Sequence, residues 1–208
     1  MDLSRLRQDT AAEHSRTEET VPVMSPTLTR EQYVDVLLRF YRVVKAWDQW
    51  ADRNVPDDLR GLLAQRRRAA LLADDLRRMD VTELPGGAQI PTGRMARTVP
   101  GESRSVFLGR MYVMEGSTLG GQFIARHVEE RLHLRTGEDN SYFAGYGDAT
   151  GQRWREFRAV LAELPDSETE TVIDSAKDFF HLFGEIMQED PARPETTDAL
   201  AAAGLPPR

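Results

Sequence analysis

The stretch GRMYVMEGSTLGGQFIARHVEERL, residues 109–132, decides how the rest of the chain is read. Val106, Met111, Met114, Phe123, Ile124 and Val128 recur at helical spacing, and Glu129, Glu130 and Arg131 are residues of an exposed face. Yet Gly116, Gly120 and Gly121 fall in the middle of this helix. Each glycine inside a helix costs about 1 kcal/mol relative to alanine, so three together cost about 3 kcal/mol. A sequence carries that penalty where the backbone must come close to something or bend. Gly116 and Gly120 are four residues apart and stack on one face, leaving a strip without side chains. Ser117, Thr118 and Gly121 beside the strip allow a kink. Two readings follow: a tight helix–helix crossing, or a helix laid over a flat ligand. Spacing alone does not separate them.

Outward from this segment the pattern stays helical. Residues 103–134 form one very long helix, preceded by a connection at 83–101 rich in glycine and proline. No composition shift separates the two sides of that connection, so one domain is expected over residues 1–190. Upstream, Leu59, Leu62, Leu63, Ala70, Leu71 and Leu76 define a helix over about 57–79. Thr29, with Gln32 three residues on, forms a capping box. It opens a helix whose apolar stripe is Tyr33, Val36, Leu37, Phe40, Tyr41, Val44 and Trp47. A turn-rich segment lies at 21–26, and a first helix at 3–15 places Leu3, Leu6, Thr10, Ala11 and His14 on one row. Downstream, 136–151 is a glycine-rich loop, followed by helices over 151–163 and 167–189. Residues 191–208 read as a loosely held tail. No alternating strand pattern occurs, so the fold class is all-α.

The 208 residues contain no cysteine, which excludes disulfides, thiolate metal sites, iron–sulfur clusters and cysteine nucleophiles. A formal charge of −7 argues against broad nucleic-acid binding. No apolar run approaches the roughly 20 residues that cross a bilayer, and the polar N-terminal stretch is not a secretory signal, so a cytoplasmic location is expected. Basic residues cluster at Arg66-Arg67-Arg68 and Arg77-Arg78. The plain reading is a solvated helix face; the alternative is a dock for an acidic partner.

His14 is one of four histidines. On the apolar side of a helix it serves either as a hydrogen-bonded core residue or as an axial ligand, since neutral imidazole commonly binds heme iron. His127, His133 and His181 match no ligand position and read as structural or exposed. Glu130 and His133 have the spacing of a di-iron carboxylate bundle, but no second pair matches them.

Two segments together resemble the heme oxygenase family. Leu6-x-x-x-Thr10-x-x-x-His14-x-x-x-Glu18 resembles its proximal helix, and the run from Tyr112 through Glu115-Gly116-Ser117 to Gln122 resembles its distal helix. The Glu-Gly-Ser variant is similar to bacterial members, particularly those that feed biliverdin to bacteriophytochromes. The resemblance implies a helical bundle with heme between the proximal helix and a kinked distal helix. It implies His14 as the proximal iron ligand, Glu18 as a carboxylate near it, and Gly116 and Gly120, with Ser117 and Gly121 beside them, as the distal backbone facing O2. Arg7, and less directly Tyr112, Arg126 and Arg155, are implied as propionate partners. Phe179 and Phe180 are implied as an aromatic wall, with plain core packing as the alternative. Some members carry an aspartate where this chain has Ser117, so the distal water network must be built differently.

The implied activity is O2-dependent cleavage of heme to biliverdin, at the alpha meso carbon as is usual for the family, with CO and iron released. Heme is then both cofactor and substrate, and the protein supplies placement and electrostatics. Electrons must come from outside, implying a ferredoxin or flavodoxin-type donor with its reductase, for which Arg66–Arg68 is a candidate dock. The competing reading is a heme carrier or sensor on the same fold.

Overall fold

The computed structural model describes residues 1–84 and 104–189. The expected tail at 191–208, and the connection at 83–101 beyond its first two residues, lie outside the described residues. The described residues contain no strand, only an isolated bridge between Thr136 and Asn140. None of their helices is long and apolar enough to cross a membrane.

The chain begins with α1 (Leu3–Asp9) and α2 (Ala11–Glu19), separated at Thr10. The expected first helix at 3–15 is therefore two helices. Thr10 turns its hydroxyl back onto the Leu6 carbonyl at 2.8 Å, the local competition that lets threonine interrupt a helix. The long α3 (Arg30–Asn54) starts at the expected capping box: Thr29 Oγ1 accepts from Gln32 N, and Gln32 Oε1 accepts from Thr29 N at 2.9 Å. Its predicted stripe is buried throughout.

The helix expected over 57–79 is also divided, into a 3-10 turn at Asp57–Leu59, α4 (Arg60–Ala64) and α5 (Ala69–Arg78). The break falls on the arginine triplet because Arg66 and Arg68 turn inward. They are only 5% and 4% exposed, so the solvated-face reading fails for both.

The central element is α6 (Arg104–Leu132), the long helix expected at 103–134. It packs most extensively on α9 (Thr169–Gln188). At their crossing a Cβ on Gly109 would stand 2.5 Å from the Val172 carbonyl oxygen, so the close approach requires glycine there. Ser175 Oγ fastens the same crossing by donating to the Val106 carbonyl at 2.7 Å.

Between α6 and α8 (Thr150–Ala162) the expected loop at 136–151 contains α7 (Ser141–Ala144) and a 3-10 turn at Gly147–Ala149. Tyr142 and Phe143 are buried by it. Asp75 on α5 holds the segment, accepting from the backbone N–H of Ser141 and Tyr142, each at 2.8 Å. Burial pushes the Asp75 carboxyl up, while those N–H groups pull the other way. Asn140 adds a second anchor, donating to the Ala125 carbonyl at 3.1 Å and accepting from Tyr33 Oη at 3.2 Å.

Candidate active site

Two adjoining hollows of about 360 and 680 Å3 lie between α2 and α6, within the size range of ligand pockets. They share His14, Glu18, Gly116, Gly120, Phe123 and Phe180. The inner hollow is apolar on most sides, with Phe40, Tyr142, Phe143 and Phe183, and contains one buried cation, Arg68. The outer one has Arg7, Tyr112, Trp154 and Arg158 on its walls.

The glycines divide into two kinds. A Cβ on Gly121 would lie 2.8 Å from the Phe143 carbonyl oxygen, so that glycine, like Gly109, serves the protein's own packing. A Cβ on Gly120 would meet nothing within 4 Å, and one on Gly116 only the Trp154 ring at 4.0 Å. The tight-crossing reading thus accounts for Gly121 and Gly109 but not for Gly116 and Gly120. Those two leave bare backbone facing a cavity.

His14 also faces that cavity. None of the residues of α2 is buried, and the His14 side chain is 53% exposed, so it is not a core histidine. Its Nδ1 stands 3.5 Å from Glu18 Oε2, one turn on. Its ring meets the edge of Phe180, with centroids 5.8 Å apart and planes at 82°.

Among the other residues singled out by sequence, Arg7 and Tyr112 come together on the outer hollow, and Ser117 and Gly121 on the inner one. Burial raises the Tyr112 hydroxyl pKa, with the Thr10 hydroxyl, Arg7 and Arg158 opposing it. Arg126 and Arg155 are exposed and line neither hollow. Phe179 points into the core against Trp47, at 5.8 Å between ring centroids. Phe183 lines the cavity beside Phe180, and its three-residue spacing from Phe180 was the signal for it. His127 is structural, its Nε2 2.9 Å from the Ser25 carbonyl, whereas His133 and His181 are exposed.

Sequence reasoning missed Arg68. Its Nη2 donates to the Met114 carbonyl at 2.6 Å and to Ser117 Oγ at 3.3 Å, and its guanidinium lies 5.1 Å over the Tyr142 ring. Ser117 in turn donates to Met114 O at 2.7 Å. Arg66, next along, makes a buried ion pair with Glu115, which also accepts from Tyr146 Oη at 2.9 Å. Burial, reinforced by Glu115, raises the Tyr146 hydroxyl pKa. Arg66 and Arg68 are therefore committed inside, and Arg67 pairs with Asp48 and Asp52. The triplet is not a free basic dock.

An imidazole opposite a side-chain-free helical strip, with cations grouped at one edge, fits a flat, anionic, metal-centred ligand. The chain belongs to the heme oxygenase family: the family model described as Heme oxygenase matches residues 2–189. It is 26% identical over 186 residues to heme oxygenase PigA of Pseudomonas aeruginosa, covering 88% of this chain and 90% of that one. A heme oxygenase of Xanthomonas campestris pv. campestris is 31% identical over 137 residues, covering 64% of this chain and 73% of the relative. The fold matches the structure of heme oxygenase from Leptospira interrogans with a TM-score of 0.70 at 23% identity, covering 88% of this chain and 97% of that one. The protein is a heme-binding enzyme that degrades heme, in a family whose members in general take electrons from reductase-type partners; the carrier or sensor reading finds no support.

Proposed function

We propose that this enzyme opens heme to biliverdin IX-alpha, releasing CO and iron, with His14 as the proximal ligand and the Gly116–Gly120 strip as the distal wall. The observation that carries the reading is the pair of glycines whose missing side chains nothing in the protein requires, placed on a cavity shared with His14. Heme supplies the O2 chemistry of its own cleavage.

The chain's residues supply placement. His14 would present Nε2 to the iron, with Glu18 Oε2 3.5 Å from Nδ1, where a carboxylate–histidine hydrogen bond would fix the ring orientation and raise ligand basicity. Arg7, Tyr112 and Arg158 form a corner that would hold the propionates and so orient a bound heme. Bare backbone at Gly116 and Gly120 would restrict what approaches the facing side of a bound heme. Arg68 and Ser117 provide the polar groups there: a fixed cation holding a hydroxyl takes the place of the missing aspartate. Phe180 packs the His14 ring from the side.

Electrons from a ferredoxin or flavodoxin-type donor with its reductase, in the cytoplasm, complete the reading, and a bacteriophytochrome is the proposed recipient of biliverdin. The Glu115-Gly116-Ser117 variant supports that recipient. The test is to add hemin to the purified protein and follow the visible spectrum in air with a reducing system. A Soret complex that decays to a biliverdin band, with both steps impaired in His14→Ala, is expected. A stable complex without ring opening would return the carrier or sensor reading, and no complex would overturn both.

A further inference from the structure

A second, much smaller void of about 10 Å3 lies between α3 and α6, with Asp48, Arg66, Arg68 and Glu115 on its walls. Three of these residues each bury a polar atom that makes no hydrogen bond within the protein: Arg66 Nε, Arg68 Nε and Asp48 Oδ1, the last with the Arg67 guanidinium 3.5 Å away as an ion-pair partner. Buried donors and acceptors are rarely left unpaired, and native proteins meet them with ordered water. The void is close to the size that a single water needs. The chemistry also matches, since a water accepts from two Nε–H groups and donates to a carboxylate oxygen.

Arg68 belongs to both places. Its Nη2 reaches Met114 O and Ser117 Oγ beside the large cavity, and its residue also lines the small void. A guanidinium is a rigid planar fork, so whatever holds Nε also sets where Nη2 points. Asp48 supplies the acceptor on α3. The groups facing it are Arg67 at 3.5 Å, Lys45 and Asp52 from its own helix, Arg68, and Tyr142.

We propose that one ordered water occupies this void and that Asp48 holds the Arg68 guanidinium through it, which makes Asp48 a positioning residue for the polar face of the heme cavity. What the cavity binds rests on the function proposed above; the water and the Asp48–Arg68 link do not.

The experiment begins with the heme-free protein. Water-selective NMR is expected to show cross-peaks from one long-lived water to the Nε–H of both Arg66 and Arg68. Asp48→Ala removes the acceptor and is expected to speed exchange of the Arg68 Nε–H about tenfold. Asp48→Asn keeps Oδ1 and is expected to retain the slow signal. In the hemin complex both variants remove a negative charge beside Arg68. The pH midpoint of the acid-to-alkaline spectral transition is then expected to fall by about half a unit or more, which a purely structural Asp48 would not cause. If Asp48→Ala does not fold, the water cross-peaks and the Asp48→Asn midpoint decide. Absence of a long-lived water at the two arginines, or variants that leave both the exchange and the midpoint unchanged, would overturn the proposal. A wild-type protein that fails to bind hemin would instead overturn the functional reading, with the NMR result standing separately.

Discussion

The two walls of the cavity are built on opposite plans. The wall carrying His14 is a nine-residue helix with no buried residue, set off from α1 at Thr10. Its histidine is half exposed, and the carboxylate at its Nδ1 is itself at the surface. The facing wall belongs to a 29-residue helix locked to α9 through Gly109, to α7 through Gly121, and to the arginine turn through Glu115 and Arg68. The α6 wall is held by the protein's own buried contacts. The α2 wall rests on α9 through surface contacts such as His14 against Phe180, and on the function proposed above it would gain a further one from the ligand. Removing a proximal group should therefore damage function and spare the fold, and removing a distal one should do the reverse unless it faces the cavity.

The largest expected contrast is between His14→Ala and Glu115→Ala. His14→Ala is expected to drop hemin turnover to the background of free hemin while changing unfolding stability by no more than about 0.5 kcal/mol, as at other exposed positions. Glu115→Ala leaves the buried Arg66 with only the half-exposed Glu156 at 3.6 Å and the Arg153 carbonyl, and is expected to cost about 3 kcal/mol in urea unfolding. A proximal variant that unfolds the protein would break the comparison.

Within the distal wall itself, Gly120→Ala and Gly121→Ala should move in opposite directions. Gly120→Ala is expected to stabilise the heme-free protein by up to about 1 kcal/mol, the helix propensity gained, while weakening hemin binding and turnover. Gly121→Ala is expected to destabilise it, because the new methyl meets the Phe143 carbonyl. Differential scanning calorimetry with and without hemin reads both. A smaller effect belongs to Glu18→Ala, expected to cost about tenfold in hemin affinity through loosened orientation of His14.

The smallest effect is on pH dependence. Burial raises the carboxyl pKa of both Asp48 and Asp75, so the folded state holds protons that the unfolded chain has released. The stability linked to these groups is full below the ordinary aspartate pKa and is lost as pH rises through their folded values. Stability should decline across that acidic window, and Asp48→Asn should flatten part of the decline, as urea midpoints at stepped pH would show.

The helical class, the capping box at Thr29 and the extent of α6 were legible because each is written in local spacing or one side chain's reach. That the glycine strip and His14 face one cavity was legible only in part, since only the Cβ environments separated cavity-facing glycines from packing ones. Illegible were the residues whose roles depend on distant partners. Arg66 and Arg68 look like surface charges until Glu115 and Ser117, nearly fifty residues on, are placed beside them. Tyr142 and Phe143 sit among turn-forming residues, and only Asp75 and Asn140 pull them inward. Arg158 and Phe179 show the remaining difficulty, that of phase. Three residues along a helix exchange a surface arginine for one at the cavity, and one residue exchanges a core ring for a cavity ring.

Met24, Leu119 and Phe123 are the large apolar side chains most exposed among the described residues, and all three stand on the hollows flanking His14. Water meets that rim whenever the site holds no ligand. At high concentration, two such molecules gain by covering each other's openings, and a filled site removes the incentive. Sedimentation of this protein should accordingly report its cargo, with self-association in the heme-free state that dissolves as hemin is added.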